Sequence, residues 1–260
     1  MKIGISWVTI LVAGLIMLTA CKESEGEMFD KLSNIRAENI FRSSTQLALI
    51  KAVDAKDQDA LIAAIGKGAD IDAPGSESIT PLFWALIKRN PEGLTLLLEQ
   101  GADPNKIIML PENFQEKSTS AMDVASRMDD SQYLKILLKR GGNPNLHVND
   151  WDEPVLHRAI MYRQLDNVKL LVEHGADINH QDKSGTTPLM QAVLGTMYEV
   201  ALYLLRQGGD PNLSNKHGVN PVALVERFGE GGIKKGTNDL AAYHEFVAEL
   251  RKRGLMNQAE

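Results

Sequence analysis

Leucines and their equivalents recur at helical spacing between Glu92 and Gln100, through Leu134-Lys135-Ile136-Leu137-Leu138, and through Val168-Lys169-Leu170-Leu171-Val172. Apolar residues three and four apart line one side of an α-helix, so each stretch predicts a short helix with one buried face. Ahead of such stretches stand Thr80-Pro81-Leu82-Phe83-Trp84-Ala85, Thr187-Pro188-Leu189-Met190-Gln191-Ala192 and Asn220-Pro221-Val222. Threonine or asparagine caps a helix by accepting an amide that has no partner in the first turn. Proline suits that turn because its missing amide is not needed there. The chain therefore predicts pairs of short helices, a first that opens on Thr-Pro and a second rich in leucine.

A five-residue phrase follows the second helices: Gly68-Ala69-Asp70-Ile71-Asp72, Gly101-Ala102-Asp103-Pro104-Asn105, Gly141-Gly142-Asn143-Pro144-Asn145, Gly175-Ala176-Asp177-Ile178-Asn179 and Gly208-Gly209-Asp210-Pro211-Asn212. By subtraction of their numbers the leading glycines stand 33, 40, 34 and 33 residues apart. A fixed period of this kind marks a solenoid, and with the Thr-Pro-Leu phrases the chain resembles the ankyrin-repeat family. Pro154-Val155-Leu156-His157-Arg158-Ala159 keeps the phase with proline in the threonine slot, and Ser120-Ala121-Met122-Asp123-Val124-Ala125 is the most divergent copy. The resemblance implies an all-α ankyrin-repeat solenoid of about six helix pairs with protruding finger loops. One pair cannot bury its apolar faces alone, so stacking supplies the core and the terminal pairs act as caps. The first cap carries Ala52, Leu61, Ile62 and Ile65 in phase without a Thr-Pro opening. The last ends in the charged amphipathic stretch Leu240 to Arg253. These limits set the repeat domain at 35–254, with a tail at 255–260.

The first residues read differently. An apolar run from Ile3 to Met17 follows Lys2 and leads into Leu18-Thr19-Ala20-Cys21, which contains the only cysteine of the chain. The run fits an export leader and is too short for a comfortable membrane span. Its end resembles a lipoprotein processing site. That resemblance implies cleavage of residues 1–20, acylation of Cys21 (diacylglycerol and palmitate-type chains) and close to permanent anchoring. Lys22 stands where inner-membrane lipoproteins often carry Asp, which points to the outer membrane, facing the periplasm. Residues 21–34 then form a lipidated flexible stalk. With Cys21 acylated, no thiol remains for a disulfide, and packing alone must hold the fold. The formal charge of -6 becomes -7 once Lys2 is lost, which argues against nucleic acid as a partner.

Catalytic and metal motifs are missing from the sequence. His147, His157, His174, His180, His217 and His244 include no pair at zinc-motif spacing, no serine lies in GxSxG, and no glycine-rich segment has a phosphate-loop order. His157 occupies the family's TPLH histidine position, for which the resemblance implies a structural hydrogen bond. No metal, cofactor or enzymatic activity is expected. Asp177 and Asp210 recur with the repeat and read as acceptors of turn amides.

The remaining features suggest a contact surface. Two insertions, within Asn105 to Ser120 and at Gly229 to Gly236, break the period, and insertions in a solenoid become loops. The first contains Ile107, Ile108, Met109 and Leu110. In the family, ligands meet the fingers and the exposed side of the first helices. Carried over by phase, this marks Trp84, Ile87, Arg127, Arg158, Met161 and the adjacent Tyr162, with Trp151 at a finger tip. Aromatic and arginine side chains dominate hot spots, the first because they bury large area with few lost rotamers and the second because they make several directed hydrogen bonds. The expected function is a membrane-tethered periplasmic protein-binding module, most concretely an immunity protein that neutralises a secreted effector such as a lipase. Two alternatives stand beside it: an inhibitor or assembly adaptor of a resident envelope enzyme, and a structural scaffold without a single tight ligand.

Overall fold

The structure, a computed structural model, describes residues 34–109, 117–148, 150–231, 233 and 238–257. The leader, Cys21, the stalk up to residue 33, Leu110, and much of the second insertion lie outside the described residues. Two compact units divide after Asn143.

The N-terminal unit holds three helix pairs: α1 (Ser44–Ala55) with α2 (Gln58–Gly66), α3 (Pro81–Ile87) with α4 (Pro91–Glu99), and α5 (Ala121–Arg127) with α6 (Gln132–Lys139). The C-terminal unit holds α7 (Val155–Met161) with α8 (Leu165–Glu173), α9 (Pro188–Leu194) with α10 (Tyr198–Arg206), and α11 (Pro221–Phe228) and α12 (Asn238–Lys252). Within each unit the first helices pack on one another, α1 on α3 on α5 and α7 on α9 on α11. Second helices do the same in α4 on α6 and α8 on α10 on α12. This is the stacked-pair arrangement of an ankyrin-repeat solenoid, and the apolar faces of α2, α4, α6, α8 and α10 are buried through Leu61, Leu94, Leu97, Leu134, Leu137, Val168, Leu171, Leu204 and Leu205.

The sequence signals act as expected at most helix starts. Thr80, Thr187 and Asn220 accept the amides of Phe83, Met190 and Ala223 at 3.2, 3.1 and 2.9 Å, and Ser120 caps α5 at Asp123. Pro154, standing in the threonine slot, has no side-chain acceptor and leaves α7 uncapped from that side. Ala85, Ala125, Ala159 and Ala192 are fully buried, and their small side chains permit the first helices to approach closely. The five phrase glycines have φ between 88° and 101°, a left-handed region that strains any L side chain, so each ends its helix where no other residue could do so cheaply.

The rest of the phrase has a mechanical role. Asp70, Asp103, Asp177 and Asp210 each accept the backbone amide two residues on, at 2.8 to 3.0 Å. The closing asparagine reaches to the following repeat. Asn105 donates to Gly141 O and accepts from Asn143 N, Asn145 does so with Gly175 and Asp177, and Asn179 with Gly208 and Asp210. Asp72 replaces the first asparagine and, lacking a donor, only accepts from Asp103 N.

Two expectations need correction, on the first cap and on the first insertion. Ile62 is exposed and Ile65 only partly covered, so the first cap is built on Leu61 and Ala64. The first insertion is a β-hairpin, β1 (Ile107–Met109) against β2 (Ser118–Ser120), with Ile108 opposite Thr119. Residues 35–41 also belong to the core, since Ile35, Ala37, Ile40 and Phe41 are buried. Among the described residues no helix is long and apolar enough to cross a membrane.

Candidate functional site

Exposure divides the sequence-marked residues into two groups. Trp84 and Ile87 are each 1% exposed and Arg127, Arg158 and Ile108 are also buried, so none of these five offers area to a partner. Trp84 is covered because the segment before α1 folds back over α3. Phe41 meets the indole edge-on with centroids 5.8 Å apart, and Lys88 Nζ lies 4.5 Å above the ring while donating to Ile35 O at 2.6 Å. The indole Nε1 donates to Asp54 at 2.9 Å. Arg127 is turned inward onto Asp123, and Arg158 lies near Glu153 and above the Tyr162 ring. Ile108 is buried by strand alternation, which sends Ile107 and Met109 to the opposite face of β1.

The exposed group is Ile107, Met109, Trp151 and Met161, with Tyr162 partly covered, while Leu110 lies outside the described residues. In the N-terminal unit, Ile107 and Met109 (67% exposed) form the outer face of the hairpin. In the C-terminal unit, Met161 ends α7, Leu194 ends α9 and Phe228 ends α11, at 41, 55 and 55% exposure. These three helices are packed side by side, so their C-terminal residues make an apolar row along one edge of the stack. Arg227 flanks the row with its guanidinium 5.4 Å from the Phe228 ring. Leu194 and Phe228 were not singled out from the sequence, although Leu194 occupies the slot of Met161. Phe228 lies one residue beyond that slot, because α11 is one residue longer than α9. Isolated exposed apolar residues need no explanation, but their recurrence at the ends of three neighbouring helices marks a candidate contact surface.

The fingers of the C-terminal unit carry a polar group. Trp151 is 66% exposed, and the next residue, Asp152, has a φ of 60°, a left-handed conformation that aspartate tolerates better than most residues. Its carboxylate accepts from His147 Nδ1 at 2.7 Å and lies 3.6 Å from His180 Nε2, which also donates to the Asp152 carbonyl at 2.9 Å. The His147 and His180 rings meet edge-on, with centroids 4.8 Å apart.

His157 behaves as a core residue. Its Nε2 bonds to Thr186 O at 3.2 Å, its Nδ1 is buried with no hydrogen-bond partner, and burial holds the imidazole down at about 4. A group with a native value near 4 and an ordinary value of 6.5 takes up its proton in the unfolded chain first. Its contribution to stability is therefore complete above about pH 6.5 and is lost as pH falls toward 4. The difference amounts to roughly 3 kcal/mol by pH 4. We expect urea unfolding of the full chain to show this loss, and His157→Gln, which removes the titration, to lose less between pH 7 and 4.5. Parallel losses in the two proteins would refute the assignment.

A shallow depression between α8, α10 and α12 is lined by Lys169, Glu199, Arg206 and Glu245 among others. Arg206 donates to Glu245 at 2.8 Å, so these two lining charges engage one another.

Comparison with known proteins places these features in a family. A family model described as "Ankyrin repeats (3 copies)" matches residues 115–215, and one described as "Ankyrin repeat" matches residues 78–107. Protein PhlB of Serratia liquefaciens is 28% identical over 180 residues, 69% of this chain and 71% of its own. Human protein phosphatase 1 regulatory subunit 27 is 39% identical over 71 residues, 27% of this chain and 46% of its own length, so the chain spans less than half of that relative. Among solved structures, an ankyrin repeat domain from Acinetobacter baumannii AYE has a TM-score of 0.61 at 24% identity, covering 79% of this chain and 97% of that one. The ankyrin repeat protein EF0377 has a TM-score of 0.58 at 22% identity, covering 78% and 96%.

Proposed function

Because the chain belongs to the ankyrin-repeat family, whose repeats serve as protein-interaction modules and not as catalysts, we propose that it is a lipid-tethered periplasmic binding protein that neutralises a secreted effector such as a lipase. The observation that carries the binding part is the exposed apolar row Met161, Leu194 and Phe228, together with Trp151 on a finger. Covering these exposed apolar side chains removes their area from water, and the rigid aromatic ring of Trp151 is the residue type that most often anchors a hot spot. The tether rests on Leu18-Thr19-Ala20-Cys21 and the apolar run before it. Neutralisation works by occlusion: the row and Trp151 cover the effector's cleft, while the acidic surface speeds the approach of a basic partner. A resident envelope enzyme would be held by the same surface.

The test is crosslinked affinity capture from envelope extracts with the full chain, followed by activity assays of whatever enzyme is recovered. A secreted enzyme should be bound and inhibited stoichiometrically. Trp151→Ala and Leu194→Glu should each weaken capture at least tenfold without altering the circular dichroism. Cys21→Ser should move the protein out of the membrane fraction. A recovered resident enzyme would replace the effector reading, and equal capture by both surface variants would remove the row and Trp151 from the interface.

A further inference from the structure

We propose that His147, Asp152 and His180 form a binding site for a divalent transition-metal ion, with Zn2+ as the representative, at the fingers of the C-terminal unit. Two imidazole nitrogens and one carboxylate are the donor set that zinc and its neighbours take in open sites, where a fourth position remains for water or another ligand. His147 Nδ1 and His180 Nε2 face the same carboxylate, at 2.7 and 3.6 Å, and the three ligand atoms all lie within 4.8 Å of one another. Ligand atoms around a tetrahedral zinc at about 2.0–2.1 Å from the metal lie roughly 3.3 Å apart, so the observed spacings bracket what coordination needs. Asp152 is exposed and the two histidines are partly so, which gives an ion a path in and leaves the open position to solvent.

The two histidines come from successive fingers, 33 residues apart by subtraction, and the carboxylate comes from the residue after Trp151. In the metal-free state the imidazoles donate to Asp152. On binding, the tautomers shift so that Nδ1 of His147 and Nε2 of His180 present lone pairs to the ion, and the Asp152 carboxylate supplies the anionic ligand. His157 stays outside the set, since it is fully buried and its ring nitrogens do not converge with those of His147 and His180 on the Asp152 carboxylate. An ion there would clip the two fingers together and hold the loop that carries Trp151. The site stands independently of the function proposed above, because it rests on ligand geometry alone.

Zn2+ titrated into the EDTA-stripped full chain should bind with a stoichiometry of one by calorimetry and change the fluorescence of Trp151. Co2+ should give the visible absorption of a four- or five-coordinate nitrogen–oxygen site. Asp152→Asn, which keeps an acceptor for both imidazoles and tolerates the same backbone conformation, should weaken Zn2+ at least tenfold, as should His147→Gln and His180→Gln. His217→Gln, on an exposed histidine outside the group, should not. Two-bond 1H–15N spectra of the unmutated chain should show ligation at Nδ1 of His147 and Nε2 of His180, a readout that survives if a variant misfolds. No binding, a stoichiometry other than one, unchanged imidazole spectra, or wild-type affinity in all three variants would each overturn the site.

Discussion

Trp84→Ala should destabilise the protein by about 3–5 kcal/mol, a cost typical of removing a buried tryptophan from a packed core. The indole is 1% exposed and is contacted from three directions: Phe41 at its edge, Lys88 above its face and Asp54 at its Nε1. Truncation leaves a cavity that Phe41 and Ile40 cannot fill without moving the segment before α1. It also ends the cation–π contact of Lys88, worth about 0.5–1 kcal/mol. Trp84→Phe should recover most of the loss, since it keeps the apolar area and sacrifices the hydrogen bond to Asp54, which water can replace. Trp151→Ala should change stability by no more than about 0.5 kcal/mol, as expected of an exposed position. Urea unfolding of the full chain followed by circular dichroism decides the matter. Equal stability of the two alanine variants would show that Trp84 is not part of the core.

That contrast marks where the sequence stopped being informative. Caps, prolines and phrase glycines act locally, so Thr80, Thr187, Gly101 and Gly175 could be read correctly with no knowledge of neighbours. Exposure of a first-helix slot is decided by whatever chain lies over it. Nothing in the local sequence of α3 reveals that residues 35–41 cover it, so Ile87 is buried, whereas Met161 and Leu194 at the slot of Ile87 remain open. The hairpin was hidden for a related reason. Ile107-Ile108-Met109-Leu110 reads as one apolar patch, but pairing with Ser118–Ser120 imposes a period of two that buries Ile108 and exposes its neighbours. His147 and His180 were invisible to motif spacing because metal motifs are defined over a few residues, while a solenoid brings together residues one repeat apart. A search for ligand types recurring near the period would have found them.

Arg127→Ala should cost about 3–5 kcal/mol, comparable to Trp84→Ala, although arginine at this slot suggested a docking residue. Arg127 Nη2 donates to Asp123 Oδ2 at 2.6 Å, with the side chains 6 and 0% exposed, and the same carboxylate oxygen accepts from Thr119 Oγ1 at 2.8 Å. A charge pair removed from water contributes little net stability, because desolvation cancels much of the attraction. Removing one member is different: the Asp123 carboxyl would be left in the interior with only the Thr119 hydroxyl and other local donors to compensate. Thr119 sits in β2 opposite Ile108, so the penalty falls where the hairpin joins α5, and the strand pairing that presents Ile107 and Met109 should loosen with it. The double variant Asp123→Asn/Arg127→Met keeps an acceptor for Thr119 and removes both charges. It should lie within about 1–2 kcal/mol of the wild type, well above the single variant, because replacing a whole buried pair is far cheaper than orphaning half of it. Urea titrations of the wild type and of both variants test this directly. A single variant losing less than about 1 kcal/mol, or a double variant no better than the single, would mean that water reaches Asp123 and that the pair behaves as a surface contact.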